Sequence, residues 1–213
     1  MKDAILFDLD GTLWDSVDAV VRSWNEVFAE HPESDAHLDR AKMCSLMGLT
    51  CDEIADRLMP SLSPTERKAI ITQCSEREHV YLRAHGGGTV YDDVLQTLRT
   101  LKETYDLYII SNCESGYIEI FLDLNELWDC IAGTACPGDT GMTKANNIRL
   151  VLRRAGQPRA FYLGDTAGDE RAARAAGIPF VHAAYGFGQA QAPDAVLHRF
   201  YDLAQTAQRI FNA

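Results

Sequence analysis

Basic charge is scarce in this chain: 20 lysines and arginines stand against 31 aspartates and glutamates, a formal net charge of −11. Neutralising a phosphate backbone takes a dense cationic footprint, so no nucleic-acid partner is expected and any anionic ligand must be held by local features. Long apolar runs are missing as well. No stretch approaches the ~20 residues that span a bilayer. Met1, Lys2 and Asp3 lead straight into a short apolar segment that has neither the length nor the cleavage pattern of a signal peptide, and a cytoplasmic chain with no membrane partner is expected. The six cysteines, Cys44, Cys51, Cys74, Cys113, Cys130 and Cys136, form no C-x-x-C pair and have no histidine at zinc-site spacing. That argues against a zinc module and for reduced thiols. The triple glycine at 86 to 88 is followed by no G-K-[ST], which removes a Walker loop, and "GFG" at 186 to 188 is too short for a dinucleotide fingerprint and reads as a turn.

What the chain does have is 46% hydrophobic residues, ample for a core. Ala4 to Phe7 is a short apolar run of the kind found in a parallel strand buried on both faces. The period then changes: Val17, Val20, Val21, Trp24 and Phe28 fall at helical spacing, and helical text without a convincing strand continues to about His85. Within it, Ser63, Pro64 and Glu66 form a helix-start signature. After the glycines, helix and strand alternate. Leu95, Leu98 and Leu101 mark a helix, "DLYIISN" a strand, Ile118, Phe121 and Leu122 a helix, and "DCIAG" a short strand. Ile148, Val151, Leu152 and Ala155 mark a helix, "AFYLGD" a strand, "ERAARAAG" a helix, "PFVHAA" a last strand, and residues 193 to 212 a terminal helix. This pattern predicts an α/β fold: a Rossmann-like, doubly wound parallel sheet core from residues 1–14 and 86–213, with an all-helical cap of residues 15–85 inserted and the glycines as hinge.

Ligands of such sheets bind beyond the carboxyl ends of the strands. Those ends carry Asp8 and Asp10, Ser111 and Asn112, and Asp165 with Asp169 four residues on, while Lys144 opens a helix behind Thr143 as cap. Alternate residues of an extended segment share a face, so Asp8 and Asp10 are expected to point together. Clustered carboxylates repel unless a cation compensates them, and oxygen donors without histidine or thiol select a hard ion such as Mg²⁺. Such a site suits attack of a carboxylate on phosphorus, with a second carboxylate moving the proton and Ser111, Lys144 and backbone N–H groups holding the phosphoryl oxygens. Taken singly, each acid is a helix cap or a solvated charge, and His182 a structural histidine near a strand end; the set carries the argument. The cap loop "SLMGLT" could face substrate, but Met47 and Leu49 serve equally well as core.

"DLDGT" at 8 to 12, Ser111 after its strand, Lys144 before its helix and "GDTAGD" at 164 to 169 resemble, in order and spacing, the four motifs of the haloacid dehalogenase-like superfamily. The helical insertion is similar to the cap of its phosphoglycolate phosphatase and β-phosphoglucomutase branch. The resemblance implies Asp8 as nucleophile and metal ligand and Asp10 as general acid/base with its backbone carbonyl on the metal. It further implies Ser111 and Lys144, with Asn112 beside them, as phosphate binders, and Asp165 and Asp169 as ligands of Mg²⁺, Asp169 directly or through water. Dehalogenases and phosphonatases of the superfamily lack the second aspartate, and phosphonatases use a cap lysine, whereas the only lysines in the cap here are Lys42 and Lys68. The implied activity is therefore a Mg²⁺-dependent phosphatase acting on a small phosphorylated metabolite. A phosphomutase and a non-catalytic phospholigand-binding protein are the alternatives.

Overall fold

The computed structural model describes residues 2–212. The chain opens with β1 (Ala4–Phe7), followed by β2 (Trp14–Asp15) and the helices α1 (Val17–Glu30), α2 (Arg40–Leu46), α3 (Cys51–Leu58) and α4 (Pro64–His85). Next come β3 (Thr89–Val90), α5 (Val94–Leu101), β4 (Asp106–Ile110), α6 (Tyr117–Asn125), β5 (Gly133–Ala135) and α7 (Pro137–Thr140). The final third holds α8 (Lys144–Arg154), β6 (Ala160–Gly164), α9 (Ala167–Ala176), β7 (Phe180–Ala183), β8 (Ala195–Leu197) and α10 (Leu203–Asn212).

Six strands form one sheet in the order β5-β4-β1-β6-β7-β8, every pair parallel. Each residue of β1 is buried because the two faces are covered by different layers. Ile5 and Phe7 pack with Leu98, Phe121, Leu203 and Phe211. Ala4 and Leu6, pointing the other way, pack with Ile148, Val151 and Ala173. Period-2 alternation between two apolar layers is what a doubly wound sheet demands. Helices α1 to α4 enclose a core of their own, in which Val20, Trp24, Phe28, Met43, Ile54 and Ile71 are buried. Helices α3 and α4 start from full capping boxes, Thr50 with Glu53 and Ser63 with Glu66, so the turns between them are set locally.

Three elements differ from the sequence expectation. The segment "DCIAG" is mostly turn; Cys130 N–H closes onto the Leu127 carbonyl, pairing to β4 begins with Ala132 N–H on the Leu107 carbonyl, and the strand proper runs Gly133–Ala135. Residues 193 to 212 are not one helix. The outer edge of β7 is open, Asp194 accepts a bond from Phe180 N–H at 2.7 Å, and Ala195–Leu197 adds as a sixth strand before α10 begins at Leu203. Finally, Trp14–Asp15 pairs antiparallel with Thr89–Val90 in a two-residue ribbon where the chain leaves and re-enters the sheet layer. Gly88 is required there: a Cβ would lie 2.7 Å from the Asp15 carbonyl oxygen.

Candidate active site

The parallel sheet brings the carboxyl ends of β1, β4 and β6 side by side, and with them the residues the motifs singled out. Asp8 follows β1 directly, its N–H held by the Leu163 carbonyl at 2.8 Å. Asp165 follows β6, and Asp169 lies in the first turn of α9. Oxygens of Asp8, Asp165 and Asp169 all lie within 4.8 Å of one another, and all three residues are buried. Lys144, the first residue of α8, reaches into this group, with Nζ 2.9 Å from Asp8 Oδ1 and 2.6 Å from Asp169 Oδ1.

Electrostatics follow from one buried ammonium facing three buried carboxylates. Burial pushes the Asp8 carboxyl well above the usual range, with Asp169 adding to the rise against the pull of Lys144. Burial, and then Asp169, raise Asp165 to about 7, although the N–H groups of Phe187 and Gly188 pull the other way. For Asp169 burial also acts upward, but Lys144 and the Thr166 bonds outweigh it and hold the group below its ordinary value. Burial favours a neutral Lys144, yet Asp169 and Asp8 win and hold it charged. The cluster is short of positive charge.

The donor set fits a hard divalent cation. It offers carboxylate oxygens without histidine or thiol, and Asp165 Oδ1 is buried with no hydrogen-bond partner among the described residues. Asp169 is more committed: Oδ1 takes Lys144, while Oδ2 accepts from Thr166 N–H at 3.0 Å and Thr166 Oγ1 at 2.6 Å, forming the capping box of α9. Its main service is to fix Lys144 and the helix start.

The Asp10 side chain does not join the cluster. Its Oδ1 accepts three bonds, from Trp14 Nε1 at 2.9 Å, Ser16 Oγ at 2.7 Å and Tyr117 Oη at 2.8 Å. Burial nevertheless raises its carboxyl above the ordinary value, the three donors opposing. The two aspartates of the first strand end are thus separated by environment, Asp8 toward Lys144 and Asp10 toward the aromatic donors.

Ser111 is buried at the end of β4 and lines the same cavity as Asp8 and Asp10. Asn112 also lines it, but its Nδ2 donates to the Gly48 carbonyl at 2.9 Å, so this side chain ties the "SLMGLT" loop down over the site. Cys113 borders the cavity too; burial, and after it the neighbouring Cys136, hold its thiol protonated. His182 is satisfied structurally, its Nε2 3.1 Å from the Asp165 carbonyl oxygen.

Two features escape the motif argument. The "GFG" turn holds the Asp165 carboxylate: Phe187 and Gly188 N–H donate to Asp165 Oδ2 at 2.7 and 3.2 Å. Gly186 allows it, since a Cβ there would sit 2.3 Å from both Asp165 Cβ and the Gly11 carbonyl oxygen, and Gly11, at φ 76°, has Asp165 Oδ2 only 2.4 Å from where its own Cβ would be. Gly186→Ala is expected to destabilise by about 1–3 kcal/mol, an overpacking cost, and to weaken Mg²⁺ binding, read from denaturant melts with and without the ion.

The second feature is Glu78, a buried carboxyl in α4 that lines the cavity and accepts a bond from Trp24 Nε1 at 2.6 Å. Burial raises it to about 8, the Trp24 bond opposing and Asp10 adding to the rise. Unfolded, it would titrate near 4.5. The native state therefore binds the extra proton between those values, so stability is fullest below about 4.5 and drains as pH climbs towards 8. Glu78→Gln is expected to gain in Tm over the parent at pH 8 and to show no such gain at pH 5, in melts run on both proteins.

The cavity between the sheet edge and the helices measures about 50 Å³ and is walled by Val20, Trp24, Met43, Met47, Leu49 and Ile54 on the helical side. With the acids, the lysine and this cover in place, kinship can be read. The chain belongs to the haloacid dehalogenase-like hydrolase family, whose model matches residues 5–183. It is 28% identical over 221 residues to a phosphoglycolate phosphatase of Rhodobacter capsulatus, covering 96% of this chain and 94% of that protein. A phosphoglycolate phosphatase of Yersinia pestis is 26% identical over 215 residues, with 93% and 90% covered. Among solved structures, CbbY from Rhodobacter sphaeroides in complex with phosphate superposes with a TM-score of 0.79 at 24% identity, over 95% of this chain and 96% of that one. A haloacid dehalogenase-like family hydrolase from Streptococcus pneumoniae gives 0.76 at 24% identity, over 97% and 99%. No helix among the described residues is long and apolar enough to cross a membrane.

Proposed function

We propose that this hydrolase is a Mg²⁺-dependent phosphatase that cleaves a small phosphate monoester through an aspartyl-phosphate on Asp8. The observation that supports it most is the division of the acids, three clustered together with Lys144 paired to two of them, and the fourth, Asp10, held apart by three donors. Asp8 and Asp165 would hold the ion through their side chains, with the Asp10 carbonyl, and Asp169 would act through Lys144 or a water. When bound, the ion supplies the positive charge this cluster lacks and polarises the phosphoryl oxygens.

Asp8 attacks phosphorus as the ester P–O bond breaks, and Asp10 delivers its proton to the departing oxygen. Asp10 then takes a proton from water attacking the aspartyl-phosphate, which releases inorganic phosphate and regenerates Asp8. Ser111 donates to the phosphoryl group, and Lys144 balances its charge while keeping Asp8 aimed. Asn112 serves the cover through Gly48 as well as the phosphate end. Residues 15–85 act as the cap that shapes the leaving-group side, since α1, α4 and the loop around Gly48 wall the cavity opposite Asp8. The relatives named phosphatases and the phosphate-bound CbbY structure support this reading.

The test is phosphate release from a panel of phosphorylated metabolites. Release is expected with Mg²⁺ and loss of it with EDTA, restored on adding the ion back. Isomerisation of a sugar phosphate without net release would point to a mutase instead, and ligand stabilisation without turnover to a binding protein.

A further inference from the structure

Glu78 has a hydrogen-bonding oxygen that the fold does not use. The residue lies on the buried stripe of α4, is 7% exposed, and lines the cavity on the side facing Asp8. Its Oε2 accepts from Trp24 Nε1 at 2.6 Å. Oε1 has no hydrogen-bond partner among the described residues, yet it is not one of the fully enclosed unpartnered atoms, so it opens on the cavity. In a carboxylic acid the carbonyl oxygen is the better acceptor, which leaves the O–H on the oxygen away from Trp24.

The surroundings favour that acid form. Burial raises the carboxyl to about 8, the Trp24 bond opposing and Asp10 adding to the rise. The other ionisable groups that feel its charge are Cys51 in α3, Cys74 in α4 and Tyr117 in α6, each pushed upward by burial and further by Glu78, and none of them is a cation. His79, next along α4 and also on the cavity, is lowered by burial, with Arg83 adding. Lys68 borders the adjoining cleft and pairs with Asp52 at 2.9 Å. Other hydroxyls of the wall are already committed: Ser75 Oγ donates to the Ile71 carbonyl at 3.1 Å and Tyr117 Oη to Asp10 Oδ1 at 2.8 Å. A buried O–H without an acceptor is costly, so a ligand that brings one is favoured over an analogue of the same length that does not. A cavity of about 50 Å³ admits only a few heavy atoms, which puts that acceptor close to the ester oxygen.

We propose that Glu78 is a specificity-determining residue of this site: its cavity-facing oxygen hydrogen-bonds an oxygen carried by the leaving group, so that phosphate esters of short, oxygen-bearing alcohols are favoured over plain alkyl phosphates. This rests on the phosphatase reading above and deepens it. A hydroxyl and a carboxylate both supply the acceptor that the Glu78 O–H lacks. They part when that proton is removed, because a hydroxyl can turn and donate to the carboxylate of Glu78, whereas a second carboxylate can only repel it.

The experiment compares kcat/KM of the Mg²⁺-loaded protein for three esters with leaving groups of equal length, ethyl phosphate, 2-hydroxyethyl phosphate and phosphoglycolate, in the parent, Glu78→Gln and Glu78→Leu. At pH 7 the parent is expected to prefer both oxygen-bearing esters over ethyl phosphate by at least about tenfold, the scale of one hydrogen bond. Glu78→Leu should bring that preference below about threefold. Glu78→Gln, whose amide can accept from Trp24 and donate to the ligand, should keep it. A parent without the preference, or a Glu78→Leu protein that retains it, overturns the proposal. Between pH 7 and pH 9 the parent's ratio of phosphoglycolate to 2-hydroxyethyl phosphate should fall by at least about threefold as the O–H is lost, and the ratio in Glu78→Gln should hold, since kcat/KM reports ionisations of the free enzyme. A ratio that moves alike in the two proteins overturns the proposal, and this comparison decides if Glu78→Leu does not fold. If no ester is hydrolysed, p-nitrophenyl phosphate included, the phosphatase reading itself fails. Calorimetric binding of phosphoglycolate and ethyl phosphate to the parent then judges Glu78 separately: tighter binding of phosphoglycolate, lost in Glu78→Leu, supports it, and equal binding overturns it.

Discussion

Asp8→Asn is expected to lower phosphate release by at least about 10⁴-fold, the scale that removal of the nucleophile from the proposed covalent mechanism would set. Asparagine preserves shape but has no oxygen able to form the acyl phosphate, and neither Asp165 nor Asp169 can replace it. Asp165 Oδ2 is tied to the "GFG" turn and its Oδ1 would be taken by the ion, and both Asp169 oxygens are occupied by Lys144 and Thr166. The loss is not expected to come from unfolding. Burial and Asp169 already push the Asp8 carboxyl upward, so a neutral side chain relieves repulsion, and in EDTA the variant should melt at or above the parent temperature. Turnover within tenfold of the parent, in a folded variant, would sink the covalent role of Asp8.

Asp10→Asn separates proton transfer from nucleophilic attack. General acid catalysis contributes about 10²–10⁴-fold, so kcat/KM on an alkyl phosphate should fall by that much. On p-nitrophenyl phosphate, whose leaving group departs without a proton, the fall should be much smaller, because kcat/KM reports the phosphorylation step. The introduced asparagine can still accept from Trp14, Ser16 and Tyr117 through its amide oxygen, which preserves the local fold. Equal deficits on the two esters would assign Asp10 a structural part only.

Much of this was legible before any coordinates. A four-residue strand buried on both faces must end where ligands meet a parallel sheet, and that logic assembled Asp8, Ser111, Lys144, Asp165 and Asp169 from positions over 150 residues apart. What sequence periodicity does not convey is side-chain direction beyond a strand's end. Strand alternation alone would turn Asp8 and Asp10 to one cation, yet past Phe7 the chain is no longer extended, and Tyr117, contributed by a distant helix, draws the Asp10 carboxylate away. The edge strand β8 was invisible because three residues are too few to show a period, and only the open flank of β7 makes them a strand.

Glu78 had a signal that was there to be read. Ile70, Ile71, Cys74, Ser75, Glu78 and Leu82 are the buried residues of α4, spaced three to four apart, so a carboxyl on that stripe is bound inward despite the polar text around it. A glutamate on an otherwise apolar or small stripe asks for a partner, and Trp24 on α1 is the one it found.

The three donors that hold Asp10 do not belong to one part of the molecule. Trp14 sits in the two-residue ribbon where the chain crosses between layers, Ser16 immediately precedes α1 of the helical region, and Tyr117 begins a helix packed on the sheet. A swing of the helical region about that ribbon cannot leave all three bonds intact. On the phosphatase reading Asp10 would be aligned as proton donor only while the helical region is seated, and a molecule opened there would present Asp8 to phosphate with its acid out of step.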